Sequence, residues 1–222
     1  MPRYLTALTA VLMLGVTMMA CPQDRPAQRI KIDLPEPDTS GDLSVEAAIE
    51  QRRSVRQFTD EALTTAQLGQ LAWAAQGITD EARGFRAAPS AGALYPIELY
   101  LVTAEGVYHY LPEPHSIEVL REDDRRTTPA QAALGQQSVH GAPLVMVVTG
   151  VFARTTAKYG DRARRYVFME AGHVGQNVHL QAEALGLGSV PVGAFDDAAV
   201  GDCLGIPDDH APLYLIPVGH PE

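Results

Sequence analysis

Apolar side chains recur at steps of three and four over the longest periodic stretch of the chain, from Asp161 to Leu185. That spacing places them on one face of an α-helix and predicts that this face is buried along its whole length. Gly186 and Gly188 follow, and they end the predicted helix. The apolar positions are Val167, Ala171, Val174, Val178, Ala182 and Leu185.

Shorter helices are predicted on both sides of this long one. The first spans about Ser44–Arg53, and a second begins at Thr64 because the segment Thr64–Gln67 fits a capping box. The segment Pro129–Gln137 suits another short helix. Asp196 is a residue type that favours the N-cap position, and the helix that it starts is expected to end near Leu204.

Strand patterns lie between these helices. Ile97–Thr103 alternates and is rich in β-branched and aromatic residues, and Gly106 turns it into Val107–Leu111, which predicts a hairpin. Pro143–Thr149 is a continuous apolar run, as in a central strand buried on both faces. Two further short strands are predicted at Val190–Val192 and Leu213–Val218. This order of elements predicts an α+β fold or a three-layer α/β/α arrangement.

The first 21 residues have a different character from the rest. Arg3 precedes an uncharged apolar stretch over residues 4–20, and Met18-Met19-Ala20-Cys21 resembles a bacterial lipobox. We therefore predict a signal peptide at residues 1–20, a lipid on Cys21, and a membrane-anchored lipoprotein of the cell envelope, on the periplasmic or outer face. A membrane-spanning helix is the alternative, because about 17 apolar residues stand at the short limit for a span.

The remaining chain is predicted to form a flexible spacer at residues 21–42 and one domain at residues 43–222, since proline, glycine and acidic residues dominate the first of these segments. Cys203 is the only other cysteine, so an acylated Cys21 leaves no internal disulfide. The net charge of −10 argues against nucleic acid as the main partner.

Three arginines stand close together in this acidic chain, in the run Arg52-Arg53-Ser54-Val55-Arg56. A phosphorylated ligand explains the run, because guanidinium groups match phosphate oxygens and a serine hydroxyl adds a donor. Stabilisation of the negative end of the preceding helix is the alternative. It accounts for Arg52 and Arg53 but not for Ser54 or Arg56.

Three other motifs suggest chemistry that their context does not support. Gly186–Pro191 follows a helix and lacks the third glycine of a dinucleotide loop, so it is expected to be a helix cap and turn, or a backbone-lined ligand edge. Glu170 and His173 form a Glu-x-x-His pair, but a di-iron site needs a second pair, and none exists. Ser90 lies in a variant nucleophile elbow without the buried strand that a serine hydrolase requires.

Taken together, three segments resemble the FMN-dependent nitroreductase family, and more closely its SagB-type branch of azoline oxidases. The similarity extends over about residues 43–221. The segments that carry it are Arg52–Phe58, Pro89–Glu98 and Gly186–Phe195.

The resemblance implies a nitroreductase-like fold, with a central mixed sheet flanked by helices, and a homodimer that holds two FMN molecules at the subunit interface. It implies two-electron transfer between a donor and a small organic acceptor. The phosphate and ribityl contacts it implies are Arg52, Arg53, Ser54 and Arg56. The contacts it implies from the other subunit are Pro89, Ser90, Ala91, Gly92 and Ala93. The contacts it implies along the flavin ring are Pro191, Val192, Gly193 and Ala194.

This chain departs from the family pattern at several positions. Many relatives have a glutamate in place of Gly193 and an asparagine in place of Ala93. We therefore expect backbone amides, and no dedicated catalytic base, around the reduced flavin. Tyr95 is a candidate donor near the ring, or else a structural tyrosine. The alternative functions are a non-catalytic lipoprotein that keeps the fold as a binding module, and a serine hydrolase that uses Ser90.

Overall fold

The computed structural model describes residues 29–222. The predicted signal peptide and Cys21 lie outside the described residues. Within residues 29–222, no helix combines the length and apolar character that a membrane span needs.

Seven of the described strands form one sheet, in the order β1-β6-β5-β4-β7-β9-β8, and two more form a small hairpin, β2-β3. Every pairing in the large sheet is antiparallel. The mixed sheet implied by the resemblance is therefore wrong, because β4, β5 and β6 follow one another as a meander and β7 runs opposite to β4. The strands are β1 Lys31–Asp33, β2 Ile78–Asp80, β3 Phe85–Arg86, β4 Ile97–Val102, β5 Val107–Leu111, β6 Ser116–Arg121, β7 Leu144–Gly150, β8 Gly188–Ser189 and β9 Ala211–Gly219.

Helices cover both faces of this sheet. The capping box at Thr64 is present, and Asp196 caps the last helix through the amide of Ala199. The long helix, α6, buries the apolar stripe predicted for it, apart from the half-buried Leu185. The helices are α1 Val45–Gln51, α2 Thr65–Gln76, α3 Thr127–Ala132, α4 Gln137–His140, α5 Phe152–Tyr159, α6 Ala163–Ala184 and α7 Asp197–Leu204.

The two faces of the sheet belong to two separate apolar clusters. Along β4, Leu99 and Leu101 pack with α2 and α6, whereas Tyr100 and Val102 pack with α3, α4 and α7. This is the alternation that a pleated strand imposes on successive side chains. The three-layer α/β/α arrangement is thereby confirmed. Strand β7, which lies between β4 and β9, is buried at every position.

The part of the predicted spacer that the structure describes is folded onto the domain. Strand β1 pairs with β6, Leu34 is buried, and the Asp38 amide donates to Gln70 Oε1 at 2.8 Å. Gln70 Nε2 donates in return to the Asp38 carbonyl at 2.8 Å. The flexible assignment is wrong here because backbone pairing and one glutamine hold this segment. The side chains of β1 itself are exposed, so its composition gives no signal.

Several other elements escaped the sequence patterns. Strand β6 and helix α5 were not predicted. The predicted strand at Val190–Val192 is displaced to β8, and Val192 contributes only an isolated bridge to Leu215.

The buried sheet face predicts a large cost for truncating Leu99. We expect Leu99→Ala to lower the free energy of unfolding by about 2–5 kcal/mol, because it leaves a cavity between the sheet and its helices. Leu134 is 78% exposed and provides the matched control. Leu134→Ala should change the free energy of unfolding by no more than about 0.5 kcal/mol. Urea unfolding of both variants tests this, and equal losses would contradict the assigned core.

Candidate functional site

The arginine segment, defined as Arg52–Arg56, lies directly beside strand β8. Helix α1 ends at Gln51, and the chain then becomes extended. Ser54 forms a parallel bridge with Ser189, and the Val55 amide donates to the Ser189 carbonyl at 3.1 Å. Two of the three sequence motifs therefore meet in space.

Gly188 is required for this close approach. A Cβ atom at position 188 would stand 2.6 Å from Cβ of Val55, which is closer than real Cβ atoms approach a neighbour. The glycine thus has a packing reason that is independent of any dinucleotide motif. It allows the arginine segment to lie flat against the end of the sheet.

The three arginines of this segment have no carboxylate partner among the described residues. Arg53 Nη1 donates to the carbonyls of Glu50 and Arg52, at 2.7 and 2.8 Å. Arg56 Nη1 donates to the Ser54 carbonyl at 3.3 Å. The helix-end interpretation therefore fits Arg53, which contacts the last turn of α1. It does not explain the unneutralised charge of Arg56.

A neutral histidine lies under the arginine segment. His179 is buried on α6, and its Nδ1 lies 2.8 Å from Ser189 Oγ. Burial, with a smaller contribution from the Arg52 guanidinium, lowers the pKa of His179 to about 4. The imidazole is therefore uncharged at neutral pH, and the positive charge at this end of the molecule belongs to the arginines.

Exposed backbone amides lie next to this region. Val192 exchanges two backbone hydrogen bonds with Leu215, at 2.7 and 3.0 Å. After it, Gly193 and Ala194 are exposed, and within the described chain no acceptor takes a hydrogen bond from either amide. The Ala194 carbonyl is held by Gln136 Nε2 at 2.9 Å. The segment thus offers two free N–H donors on a fixed backbone.

The third motif forms a strained turn, which we call the 89–95 turn. Gly92, Ala93 and Tyr95 have φ angles of 67°, 54° and 45°. Such backbone is unfavourable for residues with a side chain and persists only where the surroundings enforce it. Ser90 Oγ accepts from the Tyr95 amide at 2.9 Å, and Arg154 Nη1 donates to the Tyr95 carbonyl at 2.9 Å.

Tyr95 is held at its side chain as well as at its backbone. The Arg86 amide donates to Tyr95 Oη at 3.2 Å, and the Arg86 guanidinium carbon lies 4.8 Å from the centre of the ring. These contacts hold the Tyr95 ring in place, and its two predicted roles, a donor near the flavin ring or a structural tyrosine, stay predictions.

Two titratable side chains that the sequence patterns missed lie over the 89–95 turn. A Cβ atom at Gly92 would stand 2.8 Å from both Lys158 Nζ and Tyr159 Oη. Both residues belong to the end of α5. Because α5 was not predicted, nothing in the sequence placed this Lys-Tyr pair next to the turn.

Below the same turn lies a buried carboxyl group, that of Glu170. Burial raises the pKa of Glu170 to about 7, against smaller lowering effects of the Ser90 hydroxyl and the Arg86 guanidinium. His173 of the Glu-x-x-His pair is exposed, so the two side chains do not converge. In the described part of the chain, no group of three or more histidine, cysteine or acidic side chains is arranged to hold a metal ion.

The surroundings of Ser90 do not support a serine hydrolase. Ser90 Oγ is occupied by the Tyr95 amide, and its acidic neighbour is Glu170. The strand before it, β3, has two residues and belongs to a separate hairpin. A nucleophile elbow needs a buried strand of the main sheet at this point.

A second ionic network fixes the other side of Tyr95. Arg154, which donates to the Tyr95 carbonyl, also forms an ion pair with Glu98, and its Nη2 atom lies 2.5 Å from Glu98 Oε1. His109 Nε2 lies 2.7 Å from Glu98 Oε2. Although burial acts to raise it, the pKa of Glu98 is lowered to about 2 by the hydrogen bond from His109 and the charge of Arg154. Each arginine that contacts Tyr95 therefore acts on a glutamate side chain, Arg86 on the buried Glu170 and Arg154 on the half-buried Glu98.

One cavity of the described chain, about 750 Å³, does not include the arginine segment. It lies between α1, α2 and the end of α6, and its lining includes Asp38, Trp73, Asn177 and Gln181. Arg53 and Arg56 are exposed, and Arg52 is half-buried. The hydrogen bonds of the 89–95 turn connect it to Arg86 and Arg154, and none connects it to the arginine segment.

Comparison with known proteins identifies relatives of the chain. The model of the "Nitroreductase family" matches residues 49–220. The provisionally named nitroreductase MJ1384 of Methanocaldococcus jannaschii is 44% identical over 196 residues, which are 86% of this chain and 96% of that protein. The microcin B17-processing protein McbC of Escherichia coli is 29% identical over 53% of this chain and 47% of its own length.

The fold also resembles that of solved structures. A provisionally named nitroreductase from Ralstonia eutropha superimposes with a TM-score of 0.78 at 29% identity, covering 86% of this chain and 90% of that one.

The packing of Gly188 against Val55 leads to a stability prediction. We expect Gly188→Ala to lower the free energy of unfolding by about 1–3 kcal/mol, because the added methyl group must push the arginine segment away from β8. Gly201, inside α7, has no atom within 4 Å of an added Cβ and is the control. Gly201→Ala should be neutral or stabilising by about 0.5–1 kcal/mol. Urea unfolding measures both changes, and a Gly188→Ala variant as stable as the wild type would disprove the assigned contact.

Proposed function

Because the chain belongs to the nitroreductase family, a family of oxidoreductases, we propose that it is an FMN-dependent enzyme that transfers two electrons between a donor and a small organic acceptor. The observation that carries the proposal is the arginine segment. Its guanidinium groups have no carboxylate partner among the described residues, and it is packed against the backbone that leads to two free amides.

The arginine segment and the stretch from Pro191 to Ala194 carry the kinds of groups that bind the phosphate and the ring of FMN. Arg52, Arg53, Ser54 and Arg56 supply cationic and hydroxyl donors for a phosphate group. The stretch from Pro191 to Ala194 supplies main-chain donors and small side chains for a flat ring. The flavin supplies the hydride chemistry when it is bound, and the protein binds and orients it.

The 89–95 turn is proposed to reach the flavin of a second copy of the chain in a homodimer. Within one described chain, no hydrogen bond joins this turn to the arginine segment, which supports this arrangement. Apolar side chains exposed on α1 and α6 also support a partner surface. These are Val45, Ile49, Phe168 and Met169.

Lys158 and Tyr159 are the side chains that we propose to face the substrate. Their Nζ and Oη atoms lie above Gly92, so they would border any ring that the turn contacts. An ammonium group and a phenol can each donate a hydrogen bond to an acceptor, or hold a proton for it. With Gly193 and Ala93 in place of polar side chains, the chain offers only main-chain donors at those two positions.

We further propose that the chain belongs to the SagB-type branch of the family. The similarity to the processing protein McbC supports this placement, together with the segment Pro89–Glu98. In this branch an azoline-type compound would be the electron donor that the flavin oxidises, and a quinone or nitroaromatic compound is the proposed class of acceptor.

The proposed cofactor is tested by colour and by affinity. Purified protein should be yellow, with absorption bands that bleach under dithionite. Replacing Arg52 and Arg56 by alanine should weaken FMN binding by about 3 kcal/mol, roughly a hundredfold in Kd, since two charge-assisted contacts are lost. Arg125→Ala is the control, because that arginine is paired with Asp123 on another surface.

A colourless protein that takes up no FMN would indicate a non-catalytic binding module. Unchanged affinity in the double variant would refute the phosphate assignment.

For localisation, we propose that a lipid on Cys21 anchors the protein to a membrane of the cell envelope. The motif Met18-Met19-Ala20-Cys21 after an apolar stretch supports the proposal. Cys21→Ala should move the protein from the membrane pellet to the supernatant after cell fractionation, and a Cys203→Ala control should stay in the pellet. If Cys21→Ala also remains in the pellet, the anchor is a spanning segment and not a lipid.

A further inference from the structure

The first turn of helix α5 is fixed to the chain that links the 89–95 turn to strand β4. The Val151 amide, directly before the helix, donates to the Pro96 carbonyl at 2.8 Å. About one helical turn further on, Arg154 Nη1 donates to the Tyr95 carbonyl at 2.9 Å. Two consecutive carbonyl groups of the linking chain are therefore held by the same helix.

The same side of α5 carries the pair that we propose to face the substrate. Lys158 follows Arg154 by four positions, a spacing that makes two side chains neighbours on the surface of a helix. A Cβ atom at Gly92 would stand 2.8 Å from both Lys158 Nζ and Tyr159 Oη, so both atoms lie close to the backbone of the turn. A shift or rotation of α5 would therefore move the pair relative to the turn.

Glu98 fixes the direction in which the Arg154 side chain points. Arg154 Nη2 lies 2.5 Å from Glu98 Oε1, while Nη1 of the same guanidinium group donates to the Tyr95 carbonyl. One guanidinium group can make both contacts at once because its N–H donors lie in one plane and point in fixed directions. The ion pair with Glu98 therefore holds Arg154 in the orientation that binds the Tyr95 carbonyl.

The Glu98 carboxylate is itself supported on its other side. His109 Nε2 lies 2.7 Å from Glu98 Oε2, and His109 is the donor because an ionised carboxylate only accepts. The His109 ring stacks on the ring of the buried Tyr100, with 4.8 Å between the ring centres. Tyr100 Oη in turn lies 2.7 Å from His210 Nδ1. Both oxygens of Glu98 thus have partners, and one of these partners packs against the core.

We propose that Glu98 and Arg154 are positioning residues, which hold α5 and its Lys158–Tyr159 pair at a fixed place over the 89–95 turn. The inference rests on the proposed function in one respect, because that function assigns the turn to the flavin and the pair to the substrate. Groups that take part in a reaction must be held within about 0.5 Å of their working geometry by the packing and hydrogen bonds behind them. Arg154 supplies such a hydrogen bond, and Glu98 orients it.

Hydrogen exchange of the full chain tests this positioning without any cofactor. The reporters are the amide of Tyr95, which donates to Ser90 Oγ, and the amide of Val151, which joins α5 to the linking chain. Arg154→Ala should lower both protection factors about tenfold or more, since the loss of a charge-assisted hydrogen bond loosens both segments. The amide of Val147, in the interior strand β7, reports global unfolding.

A second variant tests whether Glu98 acts through Arg154. Glu98→Ala should lower the same two protection factors, and the double variant Glu98→Ala/Arg154→Ala should lose no more than Arg154→Ala alone. Glu98→Gln, which keeps the volume and removes the charge, replaces Glu98→Ala if that variant does not fold. Arg125→Ala is the matched control and should leave both reporters unchanged, because Arg125 is paired with Asp123 on another surface.

Three results would overturn the positioning role. The first is unchanged protection at Tyr95 and Val151 in Arg154→Ala. The second is a fall of the same size at Val147, which would make the effect global. The third is additive losses in the double variant, which would show that Glu98 acts independently of Arg154.

Reactivity of the flavin-loaded protein tests the consequence for the Lys158–Tyr159 pair. The enzyme is reduced with dithionite under anaerobic conditions and reoxidised by a nitroaromatic acceptor, and the rate constant of reoxidation is measured. Arg154→Ala should lower this rate constant about tenfold or more, because a small misplacement of reacting groups is costly. In a background that carries Lys158→Met and Tyr159→Phe, Arg154→Ala should have no further effect. An equal loss in both backgrounds would refute the coupling of Arg154 to the pair.

The two experiments separate this inference from the proposed function. If the protein binds no FMN while the exchange results are as expected, the proposed function fails and the positioning of α5 by Glu98 and Arg154 stands. If FMN binds and reacts while Arg154→Ala leaves the exchange unchanged, the proposed function stands and the positioning role fails.

Discussion

The interior strand β7 imposes the constraint from which the rest of the architecture follows, because every residue in it is buried and both of its faces must be covered. Helices α2 and α6 cover one face, and α3, α4 and α7 cover the other. Covering the first face for its full length requires a helix as long as α6. That helix then directs Glu170 inward under one motif, and it places His179 under another. The candidate site is therefore built by the same packing that stabilises the domain.

Two sets of arginines lie at the candidate site. Arg86 acts electrostatically on the buried Glu170, Arg154 forms an ion pair with the half-buried Glu98, and both contact Tyr95 in the 89–95 turn. The arginine segment at 52–56 has no such partner in the described chain, although the protein as a whole is acidic. Of these five arginines, only Arg154 has a carboxylate ion-pair partner in the described chain. The arginine segment favours a ligand because its three guanidinium groups without such a partner stand close together, next to free backbone amides.

Local patterns in the sequence predicted the elements whose stability is local. The apolar stripe of α6, the capping box at Thr64 and the hairpin after Ile97 depend on neighbours within a few positions, and all three are present. Strand β1 is held by backbone pairing with a strand far along the chain, so its own composition could not reveal it. The same limit applies to the site. The arginine segment was visible as a charge cluster, whereas the approach of Lys158 to Gly92 arises only from tertiary packing.

The two ends of the large sheet carry its shortest strands, β1 with three residues and β8 with two. Long unpaired edges are the places where one sheet extends into another and proteins aggregate. Among the described residues both edges are short, and Ser54 occupies part of the outer side of β8. These edges thus offer another chain little free backbone with which to continue the sheet.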